Sequence, residues 1–254
     1  MTLHFFFWAL SGLLASQMLI RFKETDFARA PKLGLIFSFA FVVVAVGVVT
    51  TLFISGQRYV SEVAFANAVE LDREGAPVEE VIQKLTKATS YNSLNDAYYR
   101  NLSQALLIRV GNLLAETPAA DLTPEQTQQI QSLVLASINS AARATELGPN
   151  YSANWALRGR VYRNMLSLVN NANNLSAASF ARASELDPNN PVYLTDIARV
   201  NLAVADRART LKASDNAELA AQAVELEKTE LAAAEEVLTR AIELKSDYAP
   251  AHYY

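Results

Sequence analysis

The sequence predicts an all-α chain in which two transmembrane helices precede an α-solenoid of helical hairpins. Two stretches dominated by apolar residues fill most of the first 54 residues. Beyond them, seven of the eight prolines fall between segments rich in alanine, leucine, glutamate and glutamine, which are strong helix formers. No run of alternating strand residues interrupts this pattern, so every element is expected to be a helix.

Composition narrows the classes of function. The chain has 254 residues and a net charge of −4, and the part from Ser55 onward contains 18 basic and 24 acidic residues. This acidic balance argues against a nucleic-acid partner, which favours a clustered basic surface. The chain has no cysteine, which excludes disulfides, thiolate metal ligands and cysteine nucleophiles.

Two apolar stretches, residues 3–20 and 33–54, are predicted to cross a membrane. The second carries no charge and would reach about 33 Å as a helix, enough for a hydrocarbon core of about 30 Å. The first does not fit a cleaved signal peptide, because no basic segment precedes it and Arg21 and Lys23 follow it. The alternative is a buried hydrophobic hairpin of a soluble protein. The favoured prediction is that residues 1–55 form a transmembrane hairpin in a lipid bilayer.

The connecting loop, residues 21–32, predicts the orientation of this hairpin. It holds four basic residues, whereas only Arg58 and Arg73 lie in the twenty residues after the second span. Basic loops tend to remain in the cytoplasm, so both ends of the chain are expected on the outer side. Residues 56–254 would then form an extracytoplasmic domain.

The second domain is predicted to be helical throughout. Thr123-Pro124-Glu125-Gln126 has the pattern of a capping box with proline at the first helical position. Helix-like segments separated by Pro, Gly and Asn predict helices at residues 58–74, 78–90, 96–115, 124–147, 152–170, 175–186, 191–211 and 216–245, and one starting at 249.

One pair of these helices carries a recognisable spacing of aromatic, small and proline residues. Large aromatics fill the gap between paired helices, small residues allow close approach, and proline ends the hairpin. The residues with this spacing are Trp155, Gly159, Tyr162, Phe180, Ala183 and Pro188. Through these residues the sequence resembles the tetratricopeptide repeat (TPR) family, which implies stacked helical hairpins that bind proteins or peptides.

The repeats are degenerate. Arg158 stands where the motif has leucine, and residues 170–174 are an insertion, giving a unit of about 39 residues. In the next unit, the motif positions of the first helix hold Leu194, Ile197 and Ala198. The second helix follows after roughly 24 inserted residues, and its motif positions hold Ala234, Leu238 and Ala241. An earlier unit starts around Tyr99, Leu102 and Ser103 and ends around Ala144 and Pro149, after a hairpin at 59–92. A generic α-solenoid or an irregular helical bundle is the alternative. The last segment looks like half of a further unit, so we expect the natural chain to continue past Tyr254.

Catalytic chemistry is not indicated. The two histidines, His4 and His252, share no motif, and no metal, phosphate or nucleophile motif is present. The glutamate pairs at 79–80 and 235–236 fit solvated helix faces better than acid–base pairs. We therefore expect no catalytic residue, no metal and no cofactor in this chain.

The TPR resemblance also implies a concave groove lined by certain positions of the first helix of each hairpin. Arginine in such a groove suits the carboxylates of an acidic peptide or an anionic glycan. The alternative is that these arginines pair with nearby glutamates of the chain itself. The predicted groove residues are Arg100, Gln104, Arg160, Arg163, Asn164 and Arg199.

A second resemblance concerns the whole arrangement. Two closely spaced spans followed by repeats with the segments "DAYYRNLSQALL" and "ANWALRGRVY" resemble the C-terminal part of bacterial O-antigen ligase or polymerase-like proteins with a TPR domain. This resemblance implies a multi-pass protein of the bacterial cytoplasmic membrane with a role in surface-glycan assembly. Three hypotheses follow: an extracytoplasmic binding scaffold, a fragment of a membrane glycan ligase or polymerase, and a cytoplasmic-facing assembly factor.

Overall fold

The computed structural model describes residues 8, 10–14, 31–117 and 121–254. Most of the predicted first span (residues 3–20) and of the basic loop (residues 21–32) therefore lies outside the described residues, although residues 10–14 are helical. The chain divides into two compact units, Met1–Ser55 and Gly56–Tyr254.

Helix α1 (Pro31–Glu74) contains the predicted second span. Separate helices at 33–54 and 58–74 were expected, and that separation is wrong because α1 is continuous. The intervening Ser55-Gly56-Gln57 has no proline, and a single glycine costs a helix only about 1 kcal/mol. In the part of the chain that the structure describes, α1 alone is long and apolar enough to cross a membrane, judged by length and composition.

Side chains that accept hydrogen bonds from the first turn fix several helix starts. Thr123 and Gln126 form the predicted capping box, and Asn95, Asn190 and Asn216 cap three other helices. The helices after α1 are α2 (Val78–Tyr91), α3 (Asp96–Glu116), α4 (Pro124–Leu147), α5 (Ser152–Asn164), α6 (Ala172–Leu186), α7 (Pro191–Leu211), α8 (Ala217–Leu244) and α9 (Ala249–Tyr253).

Sequential helices from α2 onward pack against one another, and first helices of neighbouring hairpins also touch, α3 against α5 and α7 against α9. Small residues let the paired helices come close. Ser103 of α3 and Ser137 of α4 each donate to the other's backbone carbonyl at 2.9 Å, and Ser176 of α6 donates to the Gly159 carbonyl of α5 at 2.7 Å. The result is a row of helical hairpins around shared apolar clusters.

The inserted residues of the degenerate repeats are accommodated in two ways. The predicted helix 152–170 is wrong beyond Asn164, because the chain turns around the fully buried Met165 and passes through a left-handed Asn171 (φ 60°) before α6. In the next hairpin the insertion lengthens α7 and α8 themselves. Leu194 and Ala198 of α7 nevertheless share a core cluster with Ala234 of α8.

Candidate functional site: the arginine cluster around Asp196

The repeat-motif residues bring α5 and α6 into contact. A Cβ atom added at Gly159 would lie 2.8 Å from two ring carbons of Phe180, so only glycine fits opposite this fully buried ring. Ala183 is fully buried on the same helix as Phe180, and Tyr162 is buried on α5. Pro188 follows the end of α6. The hairpin therefore has the close helix approach that the motif spacing predicts.

Arg158 occupies the motif's leucine position, and its Nε atom is buried without a hydrogen-bond acceptor among the described residues. Its guanidinium lies over the rings of Trp155 and Tyr162, 5.6 Å and 5.9 Å from their centroids. One guanidinium nitrogen also donates to the Thr145 hydroxyl at 3.3 Å, and the Trp155 indole donates to the Pro149 carbonyl at 2.8 Å. Contact with aromatic faces stabilises the cation, so this position is structural.

Arg100, a predicted groove residue, belongs to the joint between two hairpins. Its Nη1 atom donates to the Oδ1 atom of the fully buried Asn154 at 2.8 Å and to Asp96 at 3.3 Å. Its guanidinium also lies 5.0 Å from the centre of the Tyr151 ring. Both hydrogen bonds engage the Nη1 atom of Arg100, which ties this guanidinium to the joint and leaves less of it available to a ligand.

Arg163 and Arg199 converge on a buried carboxylate. Asp196 is 6% exposed, and one of its oxygens accepts hydrogen bonds from Arg163 and, at 3.3 Å, from Arg199. Arg163 also lies over the buried Phe180 ring, 5.6 Å from its centroid. Arg199 lies at the same distance from the centre of the Tyr254 ring. Arg100, Arg163 and Arg199 thus pair with aspartates of their own chain, rather than with the glutamates of the alternative.

Arg160 is the unpaired member of this arginine cluster, which we define as Arg160, Arg163, Arg199 and Asp196. Within the described residues, its guanidinium makes no hydrogen bond and no ion pair. Burial lowers the pKa of Arg160 below its ordinary value, and the Arg163 charge lowers it further, although the Asp196 carboxylate acts in the opposite direction. Two guanidinium groups share the Asp196 carboxylate while Arg160 is paired with neither side chain nor backbone among the described residues, so the cluster carries an excess of positive charge.

The other two predicted groove residues lie outside the arginine cluster's contacts. Gln104 is exposed and lines a cavity of about 60 Å³ together with Asp72 and Asn101. Asn164 is exposed at the last position of α5. Among the described residues, neither side chain makes an ion pair between helices as Arg163 does.

Sequence reasoning missed the two residues that organise these sites, Asn154 and Asp196. Burial of a short polar side chain is not visible in a sequence, because such residues usually lie at the surface. One signal was present. An aspartate precedes Arg100 by four residues and Arg199 by three, which places each pair on one helix face.

The arrangement offers binding groups rather than reacting groups. No cluster of histidine, aspartate and glutamate suited to a metal ion occurs among the residues that the structure describes. The arginine cluster can instead present guanidinium donors to a carboxylate or phosphate, with aromatic rings beside them.

Comparisons with known proteins find similar folds only among solved structures. No protein family matches the chain, and no curated protein is similar to it. The Arabidopsis OM64 TPR domain is 16% identical, with a TM-score of 0.43 over 57% of this chain and 96% of that one. The first TPR of Spaghetti (RPAP3), bound to an HSP90 peptide, is 15% identical, with a TM-score of 0.44 over 58% and 95%.

A longer stretch is similar to a bacterial structure. TTC0263, a thermophilic TPR protein of Thermus thermophilus, is 12% identical, with a TM-score of 0.42 over 76% of this chain and 95% of that one. Among the described residues, stacked helical hairpins and the contact of Gly159 with Phe180 form a TPR-like helical-repeat fold.

Proposed function

We propose that the chain is a membrane-anchored scaffold whose repeat domain binds an acidic segment of a partner protein on the arginine cluster. The observation that carries this proposal is the unpaired, half-buried guanidinium of Arg160 beside Arg163. A partly dehydrated cation with no hydrogen-bond acceptor is stabilised by an incoming anion. A carboxylate side chain or terminus of the partner would supply that anion.

The first part of α1 supports the anchoring half of the proposal. Residues 35–55 are exposed and nearly all apolar, as a helix surrounded by lipid requires. With the basic loop at 21–32 in the cytoplasm, the repeat domain would be displayed outside the cytoplasm of a bacterial cell. We further propose that the parent protein assembles surface glycans, as the O-antigen ligase-like resemblance implies.

Binding of peptides to the full chain in lipid nanodiscs tests the partner chemistry. A peptide array would pair acidic sequences with versions in which Asp and Glu are replaced by Asn and Gln. We expect retention of the acidic member of each pair, and weaker retention as salt rises, because charge–charge attraction is screened. Equal retention of both members would exclude the arginine cluster as an acidic-peptide site.

An anionic glycan is the second candidate ligand, since guanidinium groups also recognise sugar carboxylates and phosphates. Competition distinguishes the two. An acidic peptide that is bound as proposed should not be displaced by an anionic oligosaccharide at equal charge concentration. Full displacement would identify the anionic glycan, rather than the acidic peptide, as the ligand of the arginine cluster.

The side of the membrane is tested by a reporter fused after Tyr254. Alkaline phosphatase folds productively outside the cytoplasm, whereas green fluorescent protein exported in unfolded form does not fluoresce there. We expect phosphatase activity and no fluorescence. Fluorescence without phosphatase activity would support the cytoplasmic-facing assembly factor instead.

A further inference from the structure

An apolar pocket lies between the end of α3, the first half of α4 and the turn that follows α5. Its volume is about 490 Å³, within the range of roughly 300–1,000 Å³ found for small-molecule sites. The pocket lies beside the buried cluster that contains Ile130, Val134 and Met165. Its apolar lining includes Leu122, Ile130, Leu135, Ile138, Leu168 and Val169.

Among the residues that the structure describes, none of those lining this apolar pocket is charged. The polar lining consists of Thr127, Gln131 and Asn170, which are all uncharged hydrogen-bonding groups. Helix α4 has no charged residue from 126 to 142. A charged ligand would lose its hydration here without gaining a counter-charge, so the pocket favours a neutral occupant.

Leu168 is held at the pocket mouth by a hydrogen-bonded turn. Its backbone N–H donates to the Met165 carbonyl at 3.0 Å, and Arg207 of α7 donates to the Leu166 carbonyl at 2.7 Å. Leu168 remains 47% exposed and Leu135, across the pocket, 59% exposed. The turn thus fixes an apolar side chain toward an open space rather than into the core.

We infer that this pocket binds a single neutral hydrocarbon chain with an uncharged hydrogen-bonding end, such as a long-chain alcohol or a neutral acyl lipid. The lining of α4 from Thr127 to Ile138 spans about 17 Å, which suits an extended chain. Methylene groups would cover Leu135 and Leu168, and a hydroxyl would reach Thr127, Gln131 or Asn170. This site is separate from the arginine cluster and independent of its ligand.

Photolabelling of the full chain in nanodiscs tests the inference. The probe is a long straight-chain alcohol with a diazirine in its chain, and labelled peptides are located by mass spectrometry. We expect saturable labelling near residues 127–138 and 165–170. The corresponding carboxylate probe at pH 8 should label these peptides at least about tenfold less, because an unpaired charge would be buried.

Two variants and a matched control complete the test. Leu135→Gln and Leu168→Gln each place an amide in the pocket and should lower labelling about tenfold. Both leucines are exposed, so melting temperatures should be unchanged. Leu219→Gln alters a leucine of similar exposure (43%) on α8 and should leave labelling intact.

Unsaturable labelling spread over all exposed apolar residues, or equal labelling by the carboxylate probe, would overturn the inference. So would a loss of self-association or of a protein partner in Leu135→Gln with labelling unchanged. That result would assign the pocket to an apolar side chain of a partner protein.

Discussion

The side-chain amide of Asn154 donates a 2.8 Å hydrogen bond to the carboxylate of Asp96, which joins the start of α5 to the start of α3. The same amide donates to the backbone carbonyls of Ala144 and Gly148 at the end of α4. A Cβ at Gly148 would lie 2.6 Å from the amide nitrogen, so glycine is required at this joint. One buried asparagine therefore fixes the register between two successive hairpins.

Replacing Asn154 with alanine should destabilise the repeat domain by about 3 kcal/mol, because several buried polar groups lose their partner at roughly 1–3 kcal/mol each. Thermal unfolding followed by circular dichroism would show the change. Asn139→Ala, at an exposed position of α4, is the matched control and should change little. Equal melting temperatures for the two variants would mean that the joint does not stabilise the domain.

Gly159→Ala should destabilise the chain by about 1–3 kcal/mol, since the added methyl overlaps the buried Phe180 ring. Gly111→Ala is expected to have the opposite effect on stability. Gly111 is exposed on α3 with no atom near the added Cβ, so alanine should stabilise by up to about 1 kcal/mol. Thermal melts of both variants check the pair. Stabilisation by Gly159→Ala would contradict the close packing of α5 on α6.

Asp196→Asn separates the stability of the arginine cluster from its binding capacity. Removing a buried carboxylate that pairs with Arg163 should cost about 3 kcal/mol of stability. The same change raises the cluster's positive charge, so an acidic peptide should bind more tightly below the melting temperature. Calorimetric titration measures this affinity. Weaker binding by a folded variant would contradict this expectation and show that Asp196 is needed to hold Arg163 and Arg199 in position.

The carboxyl group of Glu230 is expected to make the free energy of unfolding depend on pH. Burial raises the pKa of its carboxyl above the ordinary value, so the folded chain binds this proton more tightly than the unfolded chain. The stability contributed by the protonated form is lost as pH rises through the folded-state pKa. Glu230→Gln should therefore raise the melting temperature at pH 7 more than at pH 4. A control, Glu236→Gln on an exposed face of α8, should not show this difference.

Much of the repeat domain was predictable, because local residues in the sequence determine where its helices begin and end. Prolines and capping residues such as Thr123 and Asn190 mark the helix starts within one or two residues. The pairing of α7 with α8 was also predictable, since alanine and leucine recur at the motif spacing despite the insertion.

Other features depend on tertiary contacts that the sequence does not display. Residues 165–170 continue an apolar pattern that suits a helix, but burial of Met165 and the left-handed Asn171 turn the chain instead. Arg163 looked available to a ligand because Asp196 lies on another helix, 33 positions away. The apolar pocket likewise requires three separate segments to meet.

The central claim is that the unpaired guanidinium of Arg160 binds an acidic partner segment. Its most direct test is the affinity of the best acidic peptide for wild-type chain and for Arg160→Gln, measured by calorimetric titration. The account predicts at least about tenfold weaker binding by Arg160→Gln, since one charge-assisted hydrogen bond is lost. Arg182→Gln, at a partly exposed arginine of α6 paired with Glu185, should bind as the wild type does. Equal affinity of Arg160→Gln and wild type would contradict the account.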